Sequence, residues 1–351
     1  MRILYHLPSI HSMYAGRFIG LGYRDACIDL GYKFQFVDNT TNVLRVAQQF
    51  SPDIFITSSH RICTDHIDWG SLSYLRTRGM CVAVQVDRLS FPEDESHSLV
   101  GRPDILKRIQ QNKFGDIYFN YYQKETMREF EQISGCKYHT ILLAANRLVH
   151  YPTGSDIKHT SDGVFIGAYL PRKRHTFSKL LQPLRRKYKI RIYGPDWTIF
   201  DRAVGFIQRS SQYLNIRIFD RLRAPLLTQD EERSVYASTR IGINIHENQQ
   251  RTNGEDFNER TFKILACGTF QLCDRVDIIR KYFTSSELVM ARDDDWQETF
   301  EYYLNHERER MDIQERGTRK VHEAHTYHHR VAQIVDLRER WLAERAFVRP
   351  T

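Results

Sequence analysis

The chain has 351 residues, and its 51 Lys and Arg against 43 Asp and Glu give a formal net charge of +8. With 41% hydrophobic and 27% charged residues, the composition is that of a globular protein with full cores, which excludes a mainly disordered chain. No apolar run approaches the roughly 18 residues that a membrane-spanning helix needs. At about 150 residues per domain, the length predicts two domains.

The apolar stretch that follows Met1 is short and lacks the features of a secretory signal, so we interpret it as a first buried strand. The six cysteines are scattered, and no pair has metal-ligand or disulfide-framework spacing. We therefore expect reduced thiols, no metal site and a cytoplasmic protein. The moderate positive charge fits a nucleotide diphosphate, an acidic glycan, a membrane surface or DNA as partner.

In the first 150 residues, short apolar strands alternate with amphipathic helices. The predicted strands are 2–7, 32–37, 53–57, 81–86, 116–119 and 139–143, and the predicted helices are 17–30 and 42–50. Strand and helix alternating at this spacing predict a parallel sheet covered on both faces.

A second series of the same kind follows a polar segment at 148–161, which we predict to be a linker. Its predicted strands are 163–166, 189–193, 239–245, 269–272 and 288–291, and its predicted helices are 176–187, 261–267, 296–305 and 328–346. The fold class is therefore α/β, with Rossmann-like domains at 1–147 and 162–326 and a C-terminal segment at 327–351. In such sheets, ligands bind beyond the carboxyl ends of the strands.

Glycine-rich and basic segments follow several of these strands. The segment Gly16 to Gly22 lacks the spacing of a dinucleotide fingerprint, and either a ligand loop or close helix packing explains its glycines. Gly167 opens a turn that carries Arg172, Lys173 and Arg174. Arginine presents a bidentate fork to phosphate, so this turn is a candidate diphosphate site. The alternative is an ordinary solvated basic turn.

Two further polar segments follow strands of the second domain. In Tyr193-Gly-Pro-Asp-Trp197, Gly194 allows close backbone approach and Trp197 is suited to pack a base or a sugar, unless it only anchors a surface turn. Asn258 and Gly268 are a good N-cap and a good C′ residue for a short helix, whose start we expect to bind phosphate with help from Arg260. The alternative is that Asn258 and Arg260 only cap and salt-bridge a structural helix.

Asp87-Arg88 follows the strand at 81–86 in the first domain. A carboxylate at the end of a strand can bind a hydroxyl or act as a general base. A surface Asp–Arg pair is the alternative.

The motif Asn258-Glu-Arg-Thr-Phe-Lys-Ile-Leu-Ala-Cys-Gly268 resembles the N-x-R-x-F-E-x-x-A-C-G helix of CgeB-type glycosyltransferase-like proteins, relatives of the large retaining GT-B group. Further motifs of the second half agree with this resemblance over about 163–334, whereas the first 150 residues match only in pattern. They are Gly163 to Gly167 followed by Arg172, Ile192 to Trp197, Ile241 to His246, and the run from Trp296 through Arg330.

The resemblance implies a GT-B fold of two facing Rossmann-like domains, with the C-terminal helix crossing back to the first. It implies a nucleotide-sugar donor, with UDP the expected nucleotide, as co-substrate and no other cofactor. It assigns the diphosphate to Arg172 and Lys173, helped by Arg260 and the helix start at Asn258. It assigns Tyr193, Gly194 and Trp197 to the nucleoside pocket. It places His246 and Asn248 near the diphosphate or the base.

One position departs from the family pattern. The wider retaining group carries two glutamates eight positions apart, and here Glu255 holds the first position and Lys263 the second. Lysine cannot accept hydrogen bonds from the ribose hydroxyls. Another group must take the ribose, or Lys263 binds a phosphate, or the donor differs.

The expected activity is hexosyl or pentosyl transfer (EC 2.4) that needs no metal, because fixed cations and helix N–H groups stabilise the leaving diphosphate. Retention of configuration is implied by the resemblance alone, and an inverting enzyme would need a base, for which Asp87 is the candidate. The acceptor is a glycan, a protein, a metabolite or DNA, including modified bases of viral DNA. The alternatives are a non-catalytic nucleotide-binding or glycan-binding module and a sequence-independent nucleic-acid binder.

Overall fold

The computed structural model describes residues 1–11, 15–90, 98–214, 216–219 and 227–348. It divides into two compact units, one of Met1–Leu142 with Tyr327–Thr351 and one of Leu143–Thr326. Each unit is built on one parallel sheet, which confirms the predicted α/β class. Residues 349–351 of the predicted C-terminal segment lie outside the described residues.

The first unit contains a six-stranded parallel sheet in the order β2-β1-β3-β4-β5-β6. Its central strands are buried over most of their length, as expected for strands covered by helices on both faces. The strands are β1 Arg2–Leu7, β2 Lys33–Asp38, β3 Ile54–Ser58, β4 Cys81–Gln85, β5 Ile117–Asn120 and β6 Tyr138–Thr140.

Helices of the first unit connect these strands, and the last helix of the chain returns to it. They are α1 Ala15–Asp29, α2 Val43–Phe50, α3 Arg61–Thr64, α4 Trp69–Thr77, α5 Pro103–Gln110, α6 Arg128–Ser134 and α15 Tyr327–Val348.

The glycine-rich segment that follows β1 lies largely within helix α1 and not in a ligand loop. Gly22 contacts the C-terminal helix so closely that a Cβ would overlap the ring of Tyr327. Tyr23 also packs on Tyr327, with ring centroids 5.1 Å apart, and Arg330 donates a hydrogen bond to the carbonyl of Leu142. Gly22 therefore serves helix packing, and the C-terminal helix joins the first unit as predicted.

The second unit contains a five-stranded parallel sheet in the order β11-β10-β9-β7-β8. Its strands are β7 Ser161–Ile166, β8 Ile190–Tyr193, β9 Thr239–Asn244, β10 Gln271–Asp274 and β11 Val289–Ala291. Its helices are α7 Arg174–Thr176, α8 Gln182–Lys187, α9 Ile199–Tyr213, α10 Gln229–Ala237, α11 Asn248–Asn253, α12 Arg260–Ala266, α13 Trp296–Asn305 and α14 Glu307–Ala324.

The helix predicted at 176–187 is interrupted. A π-helical segment, Phe177–Leu181, separates α7 from α8. Pro183 has no N–H to continue the hydrogen-bond ladder at this point, which accounts for the irregular turn. In the part of the chain that the structure describes, no helix is both long and apolar enough to cross a membrane.

Candidate functional site

The loops that follow β7 and β8 are joined by backbone hydrogen bonds. The N–H of Gly167 donates to the carbonyl of Tyr193 at 2.8 Å, and the N–H of Tyr169 donates to the carbonyl of Pro195 at 2.9 Å. Gly194 has a φ of +136°, and a Cβ there would overlap the carbonyl of Gly167. The close approach of the two loops therefore requires glycine at position 194.

Trp197 anchors the same pair of loops. Its indole Nε1 donates to the carbonyl of Gly167 at 2.8 Å, and its ring packs against Phe165, Tyr169 and Phe177. These contacts favour the interpretation of Trp197 as a core anchor over its assignment to a nucleoside pocket. The hydroxyl of Tyr193 accepts a hydrogen bond from Arg191 at 3.1 Å.

Arg260, on α12, connects the ends of β7 and β9. Its Nε donates to the carbonyl of Ile166 at 2.7 Å, and its Nη1 lies 3.1 Å from Oδ1 of Asn244 and 3.4 Å from the carbonyl of Ile245. Its guanidinium contacts Gly167 so closely that a Cβ there would overlap it. A Cβ at position 167 would therefore displace the end of the Arg260 side chain from its present contacts.

Lys173 is buried beside Arg260. Its Nζ donates to the carbonyl of Ile245 at 3.0 Å, so Lys173 and Arg260 converge on one oxygen. Burial, followed by the nearby charge of Arg260, lowers the pKa of Lys173 to about 7. A bound anion would offset both effects, so this lysine is suited to a site that takes negative charge.

Arg172 lies next to this pair but remains more than half exposed. It forms an ion pair with Glu247, and its carbonyl accepts a hydrogen bond from Nδ2 of Asn248 at 3.0 Å. The structure thus brings Arg172, Lys173, Arg260 and Asn248 together at the ends of β7 and β9, as the sequence predicts.

Asn258 has the predicted capping role, although α12 begins two residues later, at Arg260. Its Oδ1 accepts from the N–H of Thr261 at 3.2 Å, and its Nδ2 donates to Oδ1 of Asn244 at 2.9 Å. Gly268, with a φ of +71°, follows the helix end. The Thr261 N–H is therefore already satisfied by Asn258, which leaves one fewer donor for a phosphate at the helix start.

His246, which the resemblance places near the diphosphate or the base, points its ring into the core. The side chain is fully buried, and its Nδ1 lies 2.6 Å from Oδ1 of Asp274, whose two oxygens also accept from the His246 N–H. Asp274 thus supplies the hydrogen-bond partner that a buried polar ring requires.

Metal-donor atoms of His246, Cys273 and Asp274 lie within 4.8 Å of one another. However, Nε of Arg251 lies 3.1 Å from the other carboxylate oxygen of Asp274, and Arg251 also pairs with Asp293. Burial raises the pKa of the Cys273 thiol well above its usual value, which keeps the sulfur protonated. These contacts favour a hydrogen-bonded core cluster over a metal centre.

Lys263 is paired with a carboxylate of its own helix turn. Its Nζ lies 3.0 Å from Oε2 of Glu259, in surroundings that bury both side chains. Burial lowers the pKa of Lys263, but the carboxylates of Glu232 and Glu259 outweigh this effect and raise it above its usual value. Lys263 thus neutralises carboxylates in this structure, and of the three alternatives for this position the phosphate contact is the least favoured.

The remaining two candidates lie in different units. Glu255 is half-buried in the loop between α11 and α12. Asp87 is buried just beyond β4 of the first unit, where it accepts from Oγ of Ser59 at 3.1 Å. Arg88 is also buried, 4.6 Å above the ring of Tyr122, so the expectation of an exposed Asp–Arg pair is wrong.

Sequence reasoning assigned no role to several residues that hold the loops of the second unit. Asn244 contacts Arg260, and Glu247 pairs with Arg172. Arg251 pairs with Asp293, and Asp274 contacts His246. Asn244 and Asp274 are the last residues of β9 and β10, and a polar side chain ending a buried strand is the signal that would have found them.

The architecture matches solved structures over almost the whole chain. Sucrose-phosphate synthase from Thermosynechococcus elongatus superimposes with a TM-score of 0.61 at 11% identity, covering 98% of this chain and 99% of that one. An α-glucosyltransferase in complex with UDP and a 13-mer DNA containing an HMU base gives 0.63 at 14%, covering 97% and 99%. Anabaena HepE in complex with UDP-glucose gives 0.57 at 10%, covering 99% and 100%.

These likenesses, together with the two parallel sheets, show the GT-B fold. Residues 172–336 match the family model described as glycosyl transferase-like. This match, over just under half of the chain, confirms the resemblance seen in the sequence. The sequence has no significant match among curated proteins.

Proposed function

We propose that this protein is a glycosyltransferase that moves a hexosyl or pentosyl group from a nucleotide-diphosphate sugar to an acceptor hydroxyl. One observation carries the proposal: Lys173 and Arg260 converge on the carbonyl of Ile245, with the exposed guanidinium of Arg172 beside them. A diphosphate bound at the ends of β7 and β9 would replace the Glu247 carboxylate as the ion-pair partner of Arg172.

The three cations suit the demands of the reaction. As the bond between the anomeric carbon and the diphosphate breaks, negative charge grows on the leaving oxygen, while the acceptor oxygen bonds to the carbon and loses its proton. Fixed donors that meet this charge are worth roughly 3–4 kcal/mol each. We propose that Arg172, Lys173 and Arg260 fill this role without a divalent metal, and that the configuration is retained.

UDP is the proposed nucleotide, because the α-glucosyltransferase and HepE structures are described as complexes with UDP and UDP-glucose. DNA is one candidate acceptor, supported by the DNA in the α-glucosyltransferase complex and by the net charge of +8. A glycan, a protein and a metabolite are the other candidate acceptors. The rival proposal, a non-catalytic binding module of the same fold, is favoured by one feature, Lys263 in place of the family's glutamate.

The test is UDP release from UDP-glucose, measured for the wild type, Arg260→Ala and Arg319→Ala. Arg319 is a matched control, because it is exposed on α14 and pairs with Glu315. We expect Arg260→Ala to lower turnover about 10²–10³-fold and Arg319→Ala to leave it unchanged. Tight UDP binding without turnover on any donor or acceptor would favour the binding module.

Loss of Arg260 also leaves the carbonyl of Ile166 without this donor, which costs about 1–3 kcal/mol of stability for an unsatisfied buried group. Turnover is therefore measured below the unfolding transition of each variant, so that lost folding is not counted as lost catalysis.

A further inference from the structure

Helix α9 exposes its large apolar side chains instead of burying them. Ile199 and Phe200 are each 79% exposed, Phe206 is 67% exposed, and Leu214, just after the helix, is 64% exposed. Ile207 is about half exposed. This concentration of apolar surface in one short stretch is unusual for a monomeric protein, in which large apolar patches mark interaction sites.

These side chains lie on one face of the helix. At 100° per residue, Ile199, Phe200, Phe206 and Ile207 fall within an arc of about 120°. The opposite face is the buried one, and it carries Gly205 and Gln208. The helix therefore packs on its own unit through this side and leaves four large apolar side chains, here called the α9 face, exposed on the described part of the chain.

The charges around α9 argue against a lipid surface as the partner. A helix that lies on a membrane holds its Lys and Arg on a water-facing polar side, where they meet anionic headgroups. Here Arg202 lies over the ring of Tyr169 at 5.2 Å, and Arg209 pairs with Asp196 at 3.4 Å. The cations of α9 are thus engaged by the protein's own side chains, which favours a protein partner.

The size of the α9 face fits a second copy of the chain. A large apolar side chain offers roughly 150–200 Å², so the exposed fractions leave on the order of 600 Å² per chain, or about 1,200 Å² for two. That is the lower end of the range for a stable standard-size interface, before neighbouring surface is added. Ile218, four residues beyond Leu214, is 81% exposed and extends the apolar surface of this region.

We propose that the protein forms a two-fold symmetric homodimer in which the α9 faces of two copies pack against each other. A two-fold axis makes one patch complementary to itself, so a single apolar face is enough to close the dimer. Burial of each large apolar side chain supplies the free energy, because removing apolar surface from water is favourable.

The experiment is light scattering coupled to size-exclusion chromatography on the full chain, from about 1 to 100 μM, a span chosen to cover the micromolar affinities of modest interfaces. The test variant is the double substitution Phe200→Ser with Phe206→Ser. The control is Ile157→Ser, because Ile157 is 91% exposed in a turn outside α9. We expect dimers for the wild type and the control, and monomers for the double variant.

Phe206→Glu is a second variant, because like charges brought together across the axis oppose pairing even if the double serine variant folds poorly. A wild type that stays monomeric at the highest concentration overturns the proposal, and so does a dimer that survives both variants. Sedimentation with vesicles of phosphatidylcholine and phosphatidylglycerol tests whether the α9 face binds a lipid surface instead. Vesicle binding by a monomeric wild type, lost in the variants, would overturn the dimer and assign the α9 face to a lipid surface.

Discussion

Replacing Gly194 by alanine tests the close approach of the two loops that carry the candidate site. Gly194 has a φ of +136°, and a Cβ at this position would overlap the backbone carbonyl of Gly167. A backbone carbonyl cannot move aside as a flexible side chain can, so either the loop after β7 shifts or the substituted residue strains. Both outcomes destabilise the protein.

The expected cost is the sum of two effects. A non-glycine residue in this backbone region costs about 1–3 kcal/mol. A shift of Gly167 also weakens its hydrogen bonds with Tyr193 and Trp197, each worth about 1 kcal/mol. We therefore expect Gly194→Ala to lower the free energy of unfolding by about 3–5 kcal/mol.

Urea unfolding measures this change, and UDP titration measures whether the displaced loop still binds. Gly154→Ala is the control, because a Cβ at Gly154 meets no atom within 4 Å and surface substitutions usually stay within about 0.5 kcal/mol. If Gly194→Ala unfolds at the same urea concentration as Gly154→Ala, the proposed loop geometry is wrong.

Three further predictions concern charged residues. The pKa of Lys173 is about 7, and its side chain is a cation below that pH. The affinity for UDP-glucose, measured by calorimetry, should therefore weaken as the pH rises from 6.5 to 9. An equally steep pH dependence in Lys173→Met and in the wild type would contradict this prediction. Lys263→Met removes the cation beside Glu259 and Glu232 and should cost about 3–5 kcal/mol in urea unfolding. The exposed Lys187→Met is the control and should unfold at nearly the urea concentration of the wild type. If the product anomer is inverted, Asp87→Asn should lower kcat by about 10² or more with unchanged UDP affinity, whereas an inverting enzyme with normal kcat in this variant would exclude Asp87 as the base.

The strands could be predicted closely because parallel strands that are buried on both faces form continuous apolar runs. Arg2–Leu7 has the predicted bounds, and Cys81–Gln85 ends one residue before its prediction. Helices with little apolar periodicity were missed. Glu307–Ala324 consists mostly of charged residues, so no apolar stripe marked it. Ile199–Tyr213 was missed although it carries an apolar stripe.

The site was predicted in part. Arg172, Lys173 and Arg260 belong to motifs that follow or face strand ends, and topology alone brings such segments to one edge of a parallel sheet. The partners of the charged groups could not be predicted, because pairing depends on side-chain packing between distant segments. The sequence therefore left the role of Lys263 open between three alternatives, and none of them named its partner in the structure, Glu259.

The central claim is that Arg172 and Arg260 hold a nucleotide diphosphate at the ends of β7 and β9, and titration calorimetry with UDP tests it most directly. We expect the wild type and Arg319→Ala to bind UDP alike, and Arg172→Ala and Arg260→Ala each to lose about tenfold or more in affinity, since charge-assisted hydrogen bonds are worth about 1.5–3 kcal/mol. Equal UDP affinity in all four folded proteins would contradict the claim.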